Sequence, residues 1–308
     1  MRQVMAAAVF LVVLGAPARA QVWGCFDESR VNYPGAVLSG GLEHTALAGI
    51  IAASGATLAP PSPALSPGYL AGVDVFYTSL LRDNNMPLSP AEQGALQAWL
   101  AGGGTLIVTA DIFNLPGYTS FTAFLGVTGY AIGSSLSPAT VAGVHPITTG
   151  VGPVAFTTSA FFVHPAGAQV LLKDAGLNTL GVVMDPTSGH SGPGRLAVFG
   201  DHNLFTNSFI SLTNNTRLAQ NLVAWANRGC VPDLTGSAVV GSPGYGTPNG
   251  IINNDDFFYF LAQFAAGNLA VCDLTGSAIP GAPGYGVPNG ILNNDDFFFF
   301  LAAFAAGC

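Results

Sequence analysis

SPAEQGALQAWLAGGGTLIVTAD, residues 89–111, is the stretch that decides the fold class. Ser89 stands as an N-cap, Pro90 opens the first turn, and Glu92 follows three residues after the serine. That pattern satisfies the free backbone N–H groups of a helix start from both sides. The helix it predicts runs to about Leu100 and stops at Gly102-Gly103-Gly104, where glycine permits the turn that ends a helix. Thr105 to Ala110 then reads as a strand apolar on both sides, the pattern of a strand buried in a parallel sheet.

Working outward, the same alternation recurs. Gln21 to Phe26 reads as a short strand, Gly40 to Ala53 carries helical spacing, and Val73 to Thr78 is a second apolar strand. Arg195 to Phe199 is a further strand, and Asn214 to Ala226 is a closing helix. Strands alternating with helices across Gly-rich joints argue an α/β domain over residues 21–228, with a parallel sheet of flavodoxin-like kind covered on both faces. Residues 112–194 hold several possible short strands among Pro and Gly turns.

The ends of the chain read differently. Residues 1–20 combine a basic start, an uncharged apolar run from Val4 to Gly15, and an Ala-Arg-Ala ending, the pattern of a cleaved export signal. The run is too short for a stable membrane span, and no later segment has membrane length. The expectation is a secreted chain with no transmembrane helix in its mature form. Formal net charge is −8, and Lys173 is the one lysine. Nucleic acid is therefore not an expected partner, because binding a phosphate backbone needs a basic surface. Cys25, Cys230, Cys272 and Cys308 form an even set, which favours disulfides in an exported chain. Pairings Cys230–Cys308 and Cys272–Cys308 both suit the spacing.

Residues 233–268 and 273–308 are identical at 28 of 36 positions. Each unit reads Asp-Leu-Thr-Gly-Ser-Ala, a Gly/Pro-rich stretch, Pro-Asn-Gly, Asn-Asn-Asp-Asp, and a Phe-rich run. The module spans 229–308. Each unit resembles a dockerin repeat, half of an EF-hand, of the type found at the C-termini of planctomycete secreted proteins that end in Gly-Cys. The resemblance implies Ca²⁺ held by oxygen ligands at fixed loop positions. In the first repeat these are Asp233, Thr235, Asn249, Ile251 through its carbonyl, Asn253 and Asp256. In the second they are Asp273, Thr275, Asn289, Ile291, Asn293 and Asp296. The departure is the insert after Gly236 and Gly276, which must be looped out for the ligands to converge. Without metal, the same residues would serve as Asx turns capping a helix. The Phe-rich helices are too apolar all round to hide every ring in so small a module. Either they share one aromatic core, or some rings form a partner patch. The resemblance implies a cohesin-like partner or a cell-surface component.

Three places resemble the class I glutamine-amidotransferase-like fold in its non-catalytic branches: residues 90–111, His145 to Val151, and Gly200-Asp201-His202-Asn203. No cysteine follows the Thr105–Ala110 strand, so the nucleophile of glutamine hydrolysis is absent. Ligands of parallel α/β sheets bind beyond the carboxyl ends of strands. Asp27 and Glu28, Asp111, and Asp201 with His202 stand at such ends and are the candidate ligand-site residues, with no catalytic residue assigned. The plainer role for them is capping and loop support. His44, His145, His164 and His190 are expected at the surface or in loops. The functional expectation is a secreted, non-enzymatic binding or scaffold protein anchored by its repeats. The alternative is a secreted hydrolase, perhaps glycan-directed, using an Asp/His site in the α/β domain. Self-association through the Phe-rich helices is a third reading.

Overall fold

The structure, a computed structural model, describes residues 21–82, 87–131, 137–185, 194–227, 231–247, 252–279, 282, 284–286 and 288–306. The expected signal at 1–20, Cys230, Cys308, His190, Asn249 and Ile251 lie outside the described residues.

The chain runs β1 (Val22–Cys25), α1 (Thr45–Ala53), β2 (Thr57–Leu58), α2 (Pro67–Leu70), β3 (Val75–Tyr77), α3 (Pro90–Ala101), β4 (Thr105–Thr109) and α4 (Leu115–Thr122). It continues through β5 (Thr128–Tyr130), β6 (Thr140–Val141), β7 (Phe161–Val163), β8 (Gln169–Lys173), β9 (Thr179–Met184), β10 (Arg195–Phe199) and α5 (Asn215–Ala226). The repeats contribute α6 (Asn254–Ala265), α7 (Leu269–Cys272) and α8 (Asn294–Ala306).

One sheet in the order β2-β1-β3-β4-β10-β9-β8-β6 organises residues 21–227. From β2 through β10 the neighbours are parallel. From β10 through β6 they are antiparallel. The expected parallel sheet is present from β2 through β10 and is extended by an antiparallel part that was not expected. The cause lies in residues 112–194: short links such as 174–178 between β8 and β9 permit hairpins, whereas a parallel return needs a long crossover. Right-handed crossovers that step left from β1 to β2 and right from β3 to β4 place α1 and α3 on opposite faces. Consistent with this, α1 packs with α5, and α3 packs with α2 and α4.

The 89–111 unit forms as its residues dictate. Ser89 Oγ accepts from Glu92 N, and Glu92 Oε2 accepts from Ser89 N. At the strand entrance Gly104 lies under the Trp99 ring, and a Cβ there would come within 2.4 Å of it. Trp99 Nε1 donates to Val73 O at 2.8 Å, which ties the helix to the loop before β3.

The repeats have a second, separate apolar core. Phe260, Cys272 and Phe300 are its buried centre, with Phe257, Phe264, Phe297 and Phe304 packed around them. Cys25 and Cys272 are free, buried thiols. Both expected pairings involve Cys308, which lies outside the described residues. Burial pushes the Cys25 thiol up to about 11 and the Cys272 thiol up to about 12, so both stay protonated and inert at neutral pH.

Candidate functional site

The carboxyl ends of β4 and β10 meet because the strands continue pairing past their named ends. Ala110 N donates to Phe199 O at 2.7 Å, and His202 N donates to Ala110 O at 3.0 Å. Gly200 makes room for this: a Cβ there would lie 1.8 Å from Ala160 O. Asp111 caps a 3-10 turn by accepting from Phe113 N. Asp201 caps the next such turn, accepting from Asn203 N at 2.8 Å and from Thr157 N at 2.6 Å.

Between the two acids stands His202. Its Nδ1 lies 3.0 Å from Asp111 Oδ2 and 4.0 Å from Asp201 Oδ1. All three residues are buried, His202 keeping 7 % of its surface exposed. Burial pushes the Asp201 carboxyl above the usual carboxylate range. The capping role expected of these acids and their mutual approach are both present.

Of the five candidates, these three come together and two do not. Asp27 and Glu28 line a different hollow of about 390 Å³ beyond β1, with Ser29, Ser39, Gly40 and Gly41. There Asp27 Oδ1 accepts from Ser29 N and Ser29 Oγ.

Sequence reasoning missed the polar groups behind the Asp–His cluster. His44, expected at the surface, is fully buried. Its Nε2 lies 3.0 Å from Ser79 Oγ and its Nδ1 3.3 Å from Phe205 O. Burial pulls its pKa down to about 4, so the ring is neutral. Ser79 follows β3 with a left-handed φ of 57°, a conformation that costs a non-glycine residue free energy. Tyr77 Oη and Thr109 Oγ1 are buried with no polar partner but each other. The signal for His44 was its place at the entry of a helix after two glycines, a spot that turns the chain inward. His145, in a loop where it caps a 3-10 turn, is buried as well. Its ring meets Asp185 Oδ2 at 3.1 Å, and Asp185 also accepts from Trp225 Nε1 at 2.7 Å.

In the second repeat the proposed ligands are engaged with backbone. Asp273 accepts from Asn289 N at 3.0 Å and Gly290 N at 2.7 Å. Asp296, fully buried, accepts from Leu274 N, Thr275 N and Asn293 N. Asn289 and Asn293 accept from Ile291 N and Asp295 N. Thr275 Oγ1 accepts from Ser277 N and Gly286 N while facing the carbonyls of Ser277 and Gly284. One donor and two acceptor sites are all that a hydroxyl has, so Thr275 has no lone pair for a cation. Thr235 is held by the same set of partners. Both threonines, expected as ligands, act in this arrangement as staples that fold the insert back. Asp256 accepts from Leu234 N, Thr235 N and Asn253 N, and Asn253 from Asp255 N, while Asp233 is buried. The Asp and Asn oxygens retain lone pairs and are an oxygen-only set, which suits calcium in kind.

A family model described as a domain of unknown function, DUF4350, matches residues 70–223, half of the chain. The chain belongs to this family. The DUF4350 region holds Tyr77, Ser79, Thr109, Asp111, Asp201 and His202, and it leaves out Asp27, Glu28, His44 and both repeats. No curated protein matches the sequence. Among solved structures, the mmIFT52 N-terminal domain is similar with a TM-score of 0.54 at 14% identity, over 68% of this chain and 98% of that one. A cytoplasmic protein of Salmonella typhimurium has a TM-score of 0.47 at 14% identity, over 67% and 98%. A glutamine amidotransferase of Thermotoga maritima has 0.37 at 10% identity, over 58% and 74%. At these identities the likeness is one of fold. Among the described residues no helix is long and apolar enough to cross a membrane.

Proposed function

We propose that the chain is an exported, non-enzymatic binding protein, with the α/β domain as cargo and the paired repeats as its attachment module. The observation that carries this reading is a matched set of exposed apolar side chains. Phe258 and Phe298 hold the same repeat position and are 57 % and 56 % exposed; Val239 and Ile279 hold another and are 64 % and 69 % exposed. A duplicated unit that buries two rings per helix, half-buries two more and leaves the same fifth ring outside, twice, has the pattern of a docking surface.

The charge around that surface indicates the partner's chemistry. Residues 231–308 contain six aspartates and no lysine, arginine or histidine. The reading is a dockerin-type module that takes a cohesin-like protein or a cell-surface component with an apolar groove and a basic rim. Calcium belongs to the same proposal. Asp233, Asn253 and Asp256, with Asp273, Asn289, Asn293 and Asp296, would hold it, and it would supply a fixed positive charge between the loop and the helix start. The test is attachment of the full chain to the surface fraction of producing cells, with calcium and after chelation. Calcium-dependent attachment supports the reading, and no attachment in either condition overturns it.

A second reading has one observation in its favour. The 3.0 Å contact between His202 Nδ1 and Asp111 Oδ2 is the orientation of an Asp–His pair in acid–base catalysis. A glycan-hydrolysis screen tests it: activity lost in His202→Gln supports a hydrolase, and its absence across the screen leaves the attachment reading alone.

A further inference from the structure

We propose that Asp111, Asp201 and His202 bind one divalent transition-metal ion, zinc in the first instance, at the carboxyl ends of β4 and β10. The proposal depends on neither functional reading above.

Geometry comes first. One ligand atom from each residue lies within 4.8 Å of the others, and no other such cluster of three occurs among the described residues. The ligands sit on the ends of adjacent, fully paired parallel strands, which fixes their separation and places them where α/β sheets bind ligands. Both carboxylates are also oriented by backbone N–H groups, the outer support that metal-binding carboxylates need.

Charge is the second argument. Asp111 and Asp201 are buried, and the ion pairs they make among the described residues are with His202 alone. With both carboxylates ionised, even a fully charged imidazolium leaves one negative charge over. An uncompensated buried charge is costly, and a divalent ion that binds as the proton leaves brings the three groups to neutrality.

A third, independent observation lies just behind the cluster. Tyr77 pairs in register with Ile107, and Thr109 follows two residues later on the same face of the sheet. Thr109 in turn pairs with Phe199, two residues before Asp201. Both hydroxyls are fully buried and have no polar partner but each other, and Tyr77 lies within electrostatic reach of Asp201. Buried hydroxyls that have only each other, beside converging carboxylates, keep hydrogen-bonding capacity for an ion with its bound water.

The donor set chooses the ion. One imidazole nitrogen and two carboxylate oxygens suit a borderline ion such as zinc, and the nitrogen disfavours calcium. Binding is an exchange: the ion takes the place of the proton between His202 Nδ1 and Asp111 Oδ2, and that proton leaves to solvent. Three protein ligands leave a fourth position for water.

The test uses the full chain, stripped with chelator, then given zinc while calcium occupies any site in the repeats. The expected result is one zinc per chain retained through gel filtration. His202→Gln and Asp111→Asn should each weaken binding at least tenfold, while Asp273→Asn leaves it unchanged. No retained zinc in the wild type, or undiminished zinc in His202→Gln, overturns the proposal. Should the variants fail to fold, cobalt on the wild type decides. Visible bands of an oxygen- and nitrogen-ligated ion support the site; no bands, or a thiolate charge-transfer band, contradict it.

Discussion

Phe260 and Phe300 stack face to face, with ring centroids 3.8 Å apart and planes 2° from parallel. The two residues hold the same position in the two repeats, so the stack lies where the duplicated units meet. It separates the rings that hold the module together from Phe258 and Phe298, which stand outside.

Replacing Phe300 by Ala removes half of that stack from a core with few other buried groups. Such a truncation costs about 3–5 kcal/mol, a large share of what so small a module can hold. The expected outcome in calorimetry is loss or a strong downward shift of one transition. The transition of the α/β domain stays where it was, because its core is separate.

Asp296→Ala leaves the N–H groups of Leu274, Thr275 and Asn293 without their acceptor. Each buried donor stranded this way costs about 1–3 kcal/mol. Denaturation in the presence of chelator should therefore show a destabilised repeat module even without calcium. Equal stability of variant and wild type under chelation would mean that the carboxylate acts only through metal.

His44 makes stability fall in mild acid. Its folded pKa is about 4, against an ordinary value of about 6.5 for a free histidine. As pH drops through the ordinary value, the unfolded chain takes up a proton that the folded chain refuses, and the loss levels off near the folded value. Between pH 7.5 and 5 this amounts to about 2 kcal/mol. Denaturant titrations of wild type and His44→Asn should differ in pH slope by about that much. Identical slopes would contradict a buried, neutral His44.

The α/β frame was legible because local signals act alone there. The Ser89 cap, the Gly102–Gly104 stop and the Thr105–Thr109 strand need no distant partner to be read. The antiparallel half was not legible, because the direction of β6, β8 and β9 depends on which edge they find. Asp111, Asp201 and His202 were readable as polar residues after strands, yet their convergence required knowing that β4 and β10 are neighbours. Ser79, Tyr77 and Thr109 carried no signal, since each reads as an ordinary strand or turn residue until the fold buries it. In the repeats the motif was plain, but the saturation of Thr235 and Thr275 was not. It follows from the insert folding back, with Gly236 N on Gly244 O and Gly276 N on Gly284 O, both at 2.9 Å.

The most direct test of the attachment account is to change Phe258 and Phe298 together to Asp and measure binding of the full chain to the surface fraction of producing cells. Both rings lie outside the module core, so folding should be within about 0.5 kcal/mol of wild type. Each ring is worth about 1.5–3 kcal/mol when buried against a partner, so the account predicts at least a hundredfold loss of binding. Undiminished binding by the double variant, with the fold intact, would contradict it.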